Sequence, residues 1–284
     1  MAATTGSTPR SPGAARNVDA RAQPAASPLA AISARDRIVI VGCILAIAAL
    51  AWALLVRLNA GMAPMTMEGM DMPMAMPGTT SFLFLFGMWA VMMIGMMAGP
   101  AMPMLLLFAG AHATRQPGRL PVATILFGLG YAIAWIVFSA GAALAQWALH
   151  RAAMLSPAMT AAMPWLGGAV LIVAGVYQLT PVKRMCLDHC RSPLGFLMTH
   201  WRNGALGAAE MGLRHGAYCV GCCWALMLVL FAVGVMNLLW IAVLMCVVLA
   251  EKLVPRGRWI PRIVGAAAAA AGLAMLLQHG GVAT

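Results

Sequence analysis

The sequence predicts an all-α polytopic membrane protein of about seven transmembrane helices with a cytoplasmic N-terminus. Three observations carry this. Of 284 residues, 63% are hydrophobic and only 9% charged, against about a quarter charged in an ordinary soluble domain. The apolar residues fall into runs of bilayer length, about 20 residues each. The basic residues lie at alternate ends of those runs. A soluble enzyme, a nucleic-acid-binding domain and a disordered protein are all excluded, because so few polar groups could not cover a soluble surface. The net charge of +11 is assigned to cytoplasmic segments facing a lipid bilayer and not to a nucleic-acid footprint.

Residues 1–37 are rich in Ala, Ser, Pro and Arg and read as a disordered cytoplasmic tail. Residues 38–57 form an anchor helix, longer than the apolar part of a cleaved signal peptide. Residues 58–81 form a methionine-rich periplasmic loop. The helical membrane domain covers 82–278, and 279–284 are a C-terminal tail. Within that domain the second span starts at Phe82, and Pro100 and Pro103 predict either a kinked long helix or an unwound end, finishing near His112. The third span is 122–149 and the fourth 165–179, closed by Thr180-Pro181. A Cys/His-bearing cytoplasmic loop follows at 181–216. The apolar stretch 217–250 is too long for one crossing and divides at Gly234 and Asn237. The last span is 263–277. With this topology every Lys and Arg except Arg57 and Arg151 falls on the cytoplasmic side, a strong positive-inside pattern.

The loop carries Met62, Met65, Met67, Met70, Met72, Met74 and Met76, interleaved with Glu68, Asp71 and several Pro and Gly residues. Thioether sulfur is a soft ligand suited to Cu(I). It needs no deprotonation and works in an oxidising compartment. The other reading is a flexible apolar loop lying on the bilayer. Met88, Met92 and Met96 recur on one face of the second span, with Met93 and Met97 beside them. Helix or lipid packing accounts for that stripe more simply than a thioether ladder, but Met92 and Met96 stay candidate ligands.

Five of the seven cysteines fall into two groups. Cys186, His189 and Cys190 follow the fourth span. His215, Cys219, Cys222 and Cys223 open the fifth, with Gly221 between them permitting close approach of another backbone. Cys/His groups at such short spacings are typical of metal ligands, and thiolate with imidazole suits Cu(I), with Zn as the second choice. Reversible thiol chemistry and plain packing are the alternatives. Cys43 and Cys246 read as small core residues. Glu251 and Lys252 read as a solvated pair at the membrane surface, Glu210 is left open, and His112, His150, His200 and His279 read as ordinary interfacial residues.

The chain resembles a bacterial family of predicted metal-binding integral membrane proteins. The likeness lies in Trp89-Ala-Val-Met92-Met93, in Tyr177-Gln-Leu-Thr-Pro181-Val-Lys183, in the two cysteine groups and in Glu251-Lys252. It implies a membrane-embedded metal-binding protein. The functional expectation is therefore an inner-membrane protein that binds a soft metal, copper first. It would capture the metal outside, relay it inward, or supply it to a membrane oxidase or oxygenase or a copper chaperone. A membrane thiol-disulfide oxidoreductase and a structural subunit of a membrane complex are the alternatives. No P-loop is present, so energised pumping is not expected.

Overall fold

The computed structural model describes residues 32–61, 81–115, 120–152, 154–155, 164–254 and 259–280. The methionine loop, residues 62–76 included, and the tail up to residue 31 lie outside the described residues, as does the side chain of His279. What is described is helical throughout, with no strand element. Helix α1 spans Ala34–Gly61. Its start is set by Ser33, whose hydroxyl accepts from the Asp36 amide at 3.1 Å and donates to the Asp36 carboxylate at 2.7 Å, a reciprocal N-terminal cap.

Helix α2 runs Phe82–Arg115 and stays helical through Pro100 and Pro103. Of the two expectations, the long helix is the one that forms, without an unwound end; prolines are tolerated where neighbouring helices satisfy freed backbone groups. At 34 residues it is about 51 Å long, well over a hydrocarbon core of about 30 Å. Helix α3 follows at Leu120–Arg151 and α4 at Pro164–Leu179. Thr180 then caps α5, Pro181–Arg191, which turns 63° away from α4.

The stretch expected to be a cytoplasmic loop is built of helices instead. After α5 come the short α6, Pro193–His200, and α7, Gly204–Leu228. Helix α7 begins 13 residues before the expected span; Glu210 and Arg214 break its apolar pattern, and Glu210 pairs with Arg202, just ahead of the helix, at 2.8 Å and with Arg214 at 2.9 Å. The hairpin expected near Gly234 and Asn237 is present. A one-turn helix α8, Leu230–Val233, ends at Gly234 with φ of 107°, and Asn237 caps α9, Leu238–Leu253. Helix α10 is Trp259–Gly280.

Among the described residues, five helices, with α7 and α8 taken as one, are long and apolar enough to cross a membrane, or six if the bent pair α4–α5 counts as one crossing. Helix α9, with 16 residues, is about 24 Å long and falls short. Large apolar side chains such as Leu50, Leu83 and Leu239 point outward, while Gln146, Gln178, Lys183 and Glu251 are buried. That inside-out distribution is compatible with membrane insertion.

Helix α3 packs along α7, and α4 along α10. A Cβ on Gly130 would strike the Ala209 carbonyl, and one on Gly212 would strike the Phe127 carbonyl. Small residues therefore let α3 and α7 approach backbone to backbone. This contact brings Tyr131 of α3 against the cysteines of α7.

Candidate metal centre

Cys186 and Cys190 lie one turn apart on α5, which packs across α7. The Cys190 Sγ comes to 4.0 Å from the Cys222 Sγ. Two sulfurs on one tetrahedral ion with bonds of about 2.3 Å stand about 3.8 Å apart, so this separation is one that a single soft ion can bridge. Cys186 rests over Gly221: a Cβ there would lie 2.9 Å from the Cys186 Sγ. Gly221 thus admits a thiol, where close approach of a backbone had been expected. The Cys222 and Cys223 thiols donate to the Cys219 carbonyl at 3.1 and 2.8 Å. Cys219, Cys222 and Cys223 are buried, Cys186 and Cys190 half-buried, and all five are free thiols.

Three groups frame the sulfurs. Lys252 Nζ donates to Cys219 Sγ at 2.8 Å. The Tyr131 hydroxyl lies 3.1 Å from the same sulfur and 3.3 Å from the Met97 carbonyl. The Tyr177 hydroxyl donates to the Gly221 carbonyl and so fixes the helix turn that faces Cys186. Among the described residues, no group of three or more His, Cys, Asp or Glu side chains stands ready to hold a metal ion. The donors that do meet are thiols, paired across α5 and α7.

Glu251 and Lys252 are not a solvated surface pair. Glu251 is buried, accepting from Lys183 Nζ at 2.7 Å and from Gln178 Nε2 at 2.9 Å. Arg191 Nε donates to the Glu251 carbonyl at 2.6 Å. Consecutive helical residues point about 100° apart, so Glu251 faces α4 and α5 while Lys252 faces α7. Lys183, Gln178 and Tyr131 had not been singled out as site residues.

His189 and His215 are not drawn in among the sulfurs. His189 stands one residue before Cys190, about 100° round α5 from it. Its ring stacks on Tyr218 with centroids 4.3 Å apart. His215 is buried among Phe127, Tyr131 and Phe196, and its Nδ1 has no hydrogen-bond partner among the described residues. His112, expected at an interface, is buried against Phe108 and Trp201. Cys43 and Cys246, expected in the core, are exposed. Met88, Met92, Met93, Met96 and Met97 are buried inside the bundle, where they pack between helices as the simpler reading of the stripe expected. The stripe and the cysteines meet at Tyr131, which contacts both the Met97 carbonyl and Cys219.

Over residues 86–275 the chain matches the model of a family described as PpoB2, copper chaperone. The match covers well over half of the chain and contains both cysteine groups, Tyr131 and Lys252; α1 and the methionine loop precede it. No curated protein and no solved structure matches. The chain belongs to the PpoB2 copper chaperone family.

Proposed function

We propose that this member of the PpoB2 copper chaperone family carries Cu(I) across the interior of a bacterial inner-membrane protein, from the methionine loop to the thiols of α5 and α7. From there the ion passes to a membrane oxidase or oxygenase, or to a soluble copper chaperone. The observation that carries this reading is the approach of Cys190 and Cys222 to 4.0 Å with Lys252 at the neighbouring Cys219. Two thiolates and one Cu(I) leave a net negative charge in an apolar interior, where an isolated charge is expensive. The Lys252 ammonium offsets it. Thioethers outside capture the ion without competing protons; thiolates bind it more tightly and set the direction of transfer.

In this reading the chain crosses seven times, with α4 and α9 as short crossings and the N-terminus in the cytoplasm. The basic residues of α5 to α7 and those flanking 255–258 then face the cytoplasm, in accord with the positive-inside rule. Labelling of single cysteines should modify positions within 62–80 only from outside. Labelling from inside would reverse the topology.

The test of the site is copper loading of purified protein under argon against a competing chelator. Cys190→Ser and Cys222→Ser keep the size but exchange a soft donor for a hard one. Each should sharply lower copper occupancy, and the double change should cost less than the sum of the two. Zinc recovered in place of copper would change the cargo; full copper occupancy in the double variant would remove these thiols from the function. The same 4.0 Å approach favours a second reading, a thiol-disulfide oxidoreductase in which Cys190 and Cys222 form a disulfide and pass two electrons and two protons to a quinone. That reading requires the disulfide to be recovered from protein trapped by rapid alkylation, and quinone to be reduced.

A further inference from the structure

The structure assigns His189 and His200 to a second copper site, an imidazole pair on the surface of α5 and α6 that loads or unloads the thiols. The inference rests on the relay described above but uses none of its sulfurs. Helices α5 and α6 are consecutive and separated only by Ser192. Pro193 starts the second helix, and the bend brings His200 at its end back toward His189. Their ring centroids are 6.4 Å apart, with planes at 68°.

The ring nitrogens are already sorted. His189 Nδ1 lies 2.8 Å from the Met185 carbonyl. A carbonyl can only accept, so Nδ1 carries the proton and the neutral ring offers Nε2 as a lone pair. His200 Nδ1 lies 3.3 Å from the Phe196 carbonyl and 2.8 Å from Thr199 Oγ1. The Thr199 hydroxyl donates its proton to the Gly195 or Phe196 carbonyl, at 2.9 and 3.2 Å, and so it accepts from His200. Both histidines therefore hold Nδ1–H on the protein, and neither Nε2 has a hydrogen-bond partner among the described residues. This is the arrangement in which protein imidazoles bind metals: the far nitrogen is anchored to a carbonyl, and ring and tautomer are fixed.

The rings are also held in place. His189 stacks on Tyr218 at 4.3 Å and His200 on Phe196 at 4.8 Å. With metal–nitrogen bonds of about 2.0 Å, a ring centre sits about 3.2 Å from the ion, so two rings on one ion have centres about 5 to 6.4 Å apart, from tetrahedral to linear. The observed 6.4 Å is within the reach of two imidazoles on one ion, and low coordination is what Cu(I) accepts. The pair is half-buried, open to an incoming ion, and joined to the thiols by the chain itself. His189 adjoins Cys190, and Tyr218, on which it stacks, adjoins Cys219.

Phenylalanine preserves the stacking and removes the nitrogen. Wild type, His200→Phe and His189→Phe would each be loaded in detergent with Cu(I) under argon against a competing chelator, and read by copper equivalents, thiolate-to-copper absorption and the nitrogen shell in X-ray absorption. Each change should remove one equivalent and the nitrogen shell while leaving the thiolate band. An unchanged stoichiometry and nitrogen shell in both variants would overturn the site. Replacement of Cys186, Cys190, Cys219, Cys222 and Cys223 by Ser should in turn abolish the thiolate band and retain the nitrogen-bound equivalent. A wild-type protein with the nitrogen shell but no thiolate band would sink the thiol relay and leave the imidazole site standing. Loss of the thiolate band in His200→Phe would show one fused site and refute a separate one.

Discussion

The Lys252 ammonium sits 2.8 Å from the Cys219 sulfur, inside the helix bundle and one residue from a buried carboxylate that Lys183 already neutralises. The two lysines thus divide the work. Lys183 balances Glu251, and Lys252 remains to balance sulfur. A charge-assisted hydrogen bond of this kind contributes about 1.5–3 kcal/mol, or roughly 10- to 100-fold in an affinity.

Lys252→Met keeps the length and loses the charge. It should weaken Cu(I) binding about tenfold or more, measured by chelator competition, and Lys252→Arg should restore part of it. The same experiment run across pH should show binding weakening on acidification, because thiols must release protons to bind metal. Affinity independent of both the lysine and pH would contradict thiolate ligation.

The Lys183–Glu251 pair makes a different prediction, about stability. Glu251→Gln leaves a buried ammonium unpaired, and breaking a buried pair costs about 3–5 kcal/mol. Thermal unfolding in detergent should drop accordingly. Lys183→Met combined with Glu251→Leu should recover much of the loss, since apolar replacement of a whole buried pair is often neutral. Equal destabilisation in the single and double variants would mean that packing, and not charge, decides this position.

These two pairs mark the limit of what was legible in the sequence. Runs of apolar residues, the Gly234–Asn237 turn and the grouping of the five cysteines are local signals, and spacing alone exposes them. The helical start of α7 was not legible, because Glu210 and Arg214 break the apolar pattern while pairing on a helix surface. Nor were Tyr131, Gln178, Lys183 and Lys252 as parts of a site. Each lies 33 to 88 residues in sequence from the partner it meets, so no local spacing pairs them. Only the packing of α3 and α9 on α7, and of α4 and α5 on α9, joins them. His189 is adjacent to Cys190 in sequence, but its ring contacts Tyr218 and His200, which spacing alone does not expose.

Gly221 tests whether the α5–α7 contact itself holds the metal. In Gly221→Ala the added Cβ would stand 2.9 Å from the Cys186 sulfur, closer than side chains tolerate, so that thiol must swing aside. Copper occupancy should fall while helix content stays native, since alanine favours a helix more than glycine does. Far-ultraviolet circular dichroism and copper analysis on the same sample separate the two effects. Unchanged copper with unchanged fold would place Cys186 outside the coordinating set.

The methionine loop precedes the matched family region and lies outside the described residues, so its part in the function has to be decided by chemistry. Leucine keeps the apolar character of methionine and lacks the sulfur. Replacing Met62, Met65, Met67, Met70, Met72, Met74 and Met76 by Leu therefore separates the two readings of the loop. If thioethers capture the ion, the variant should fold and insert normally, keep the thiolate-to-copper absorption at saturating Cu(I), and load far more slowly at low copper. A loop that merely rests on lipid predicts no change, because leucine partitions into a bilayer at least as well as methionine. Loading rates at limiting Cu(I), measured in proteoliposomes with the ion supplied from one side, distinguish them. Equal rates for the variant and the wild-type chain would remove the loop from copper capture and leave the cysteine and histidine groups as the whole of the metal path.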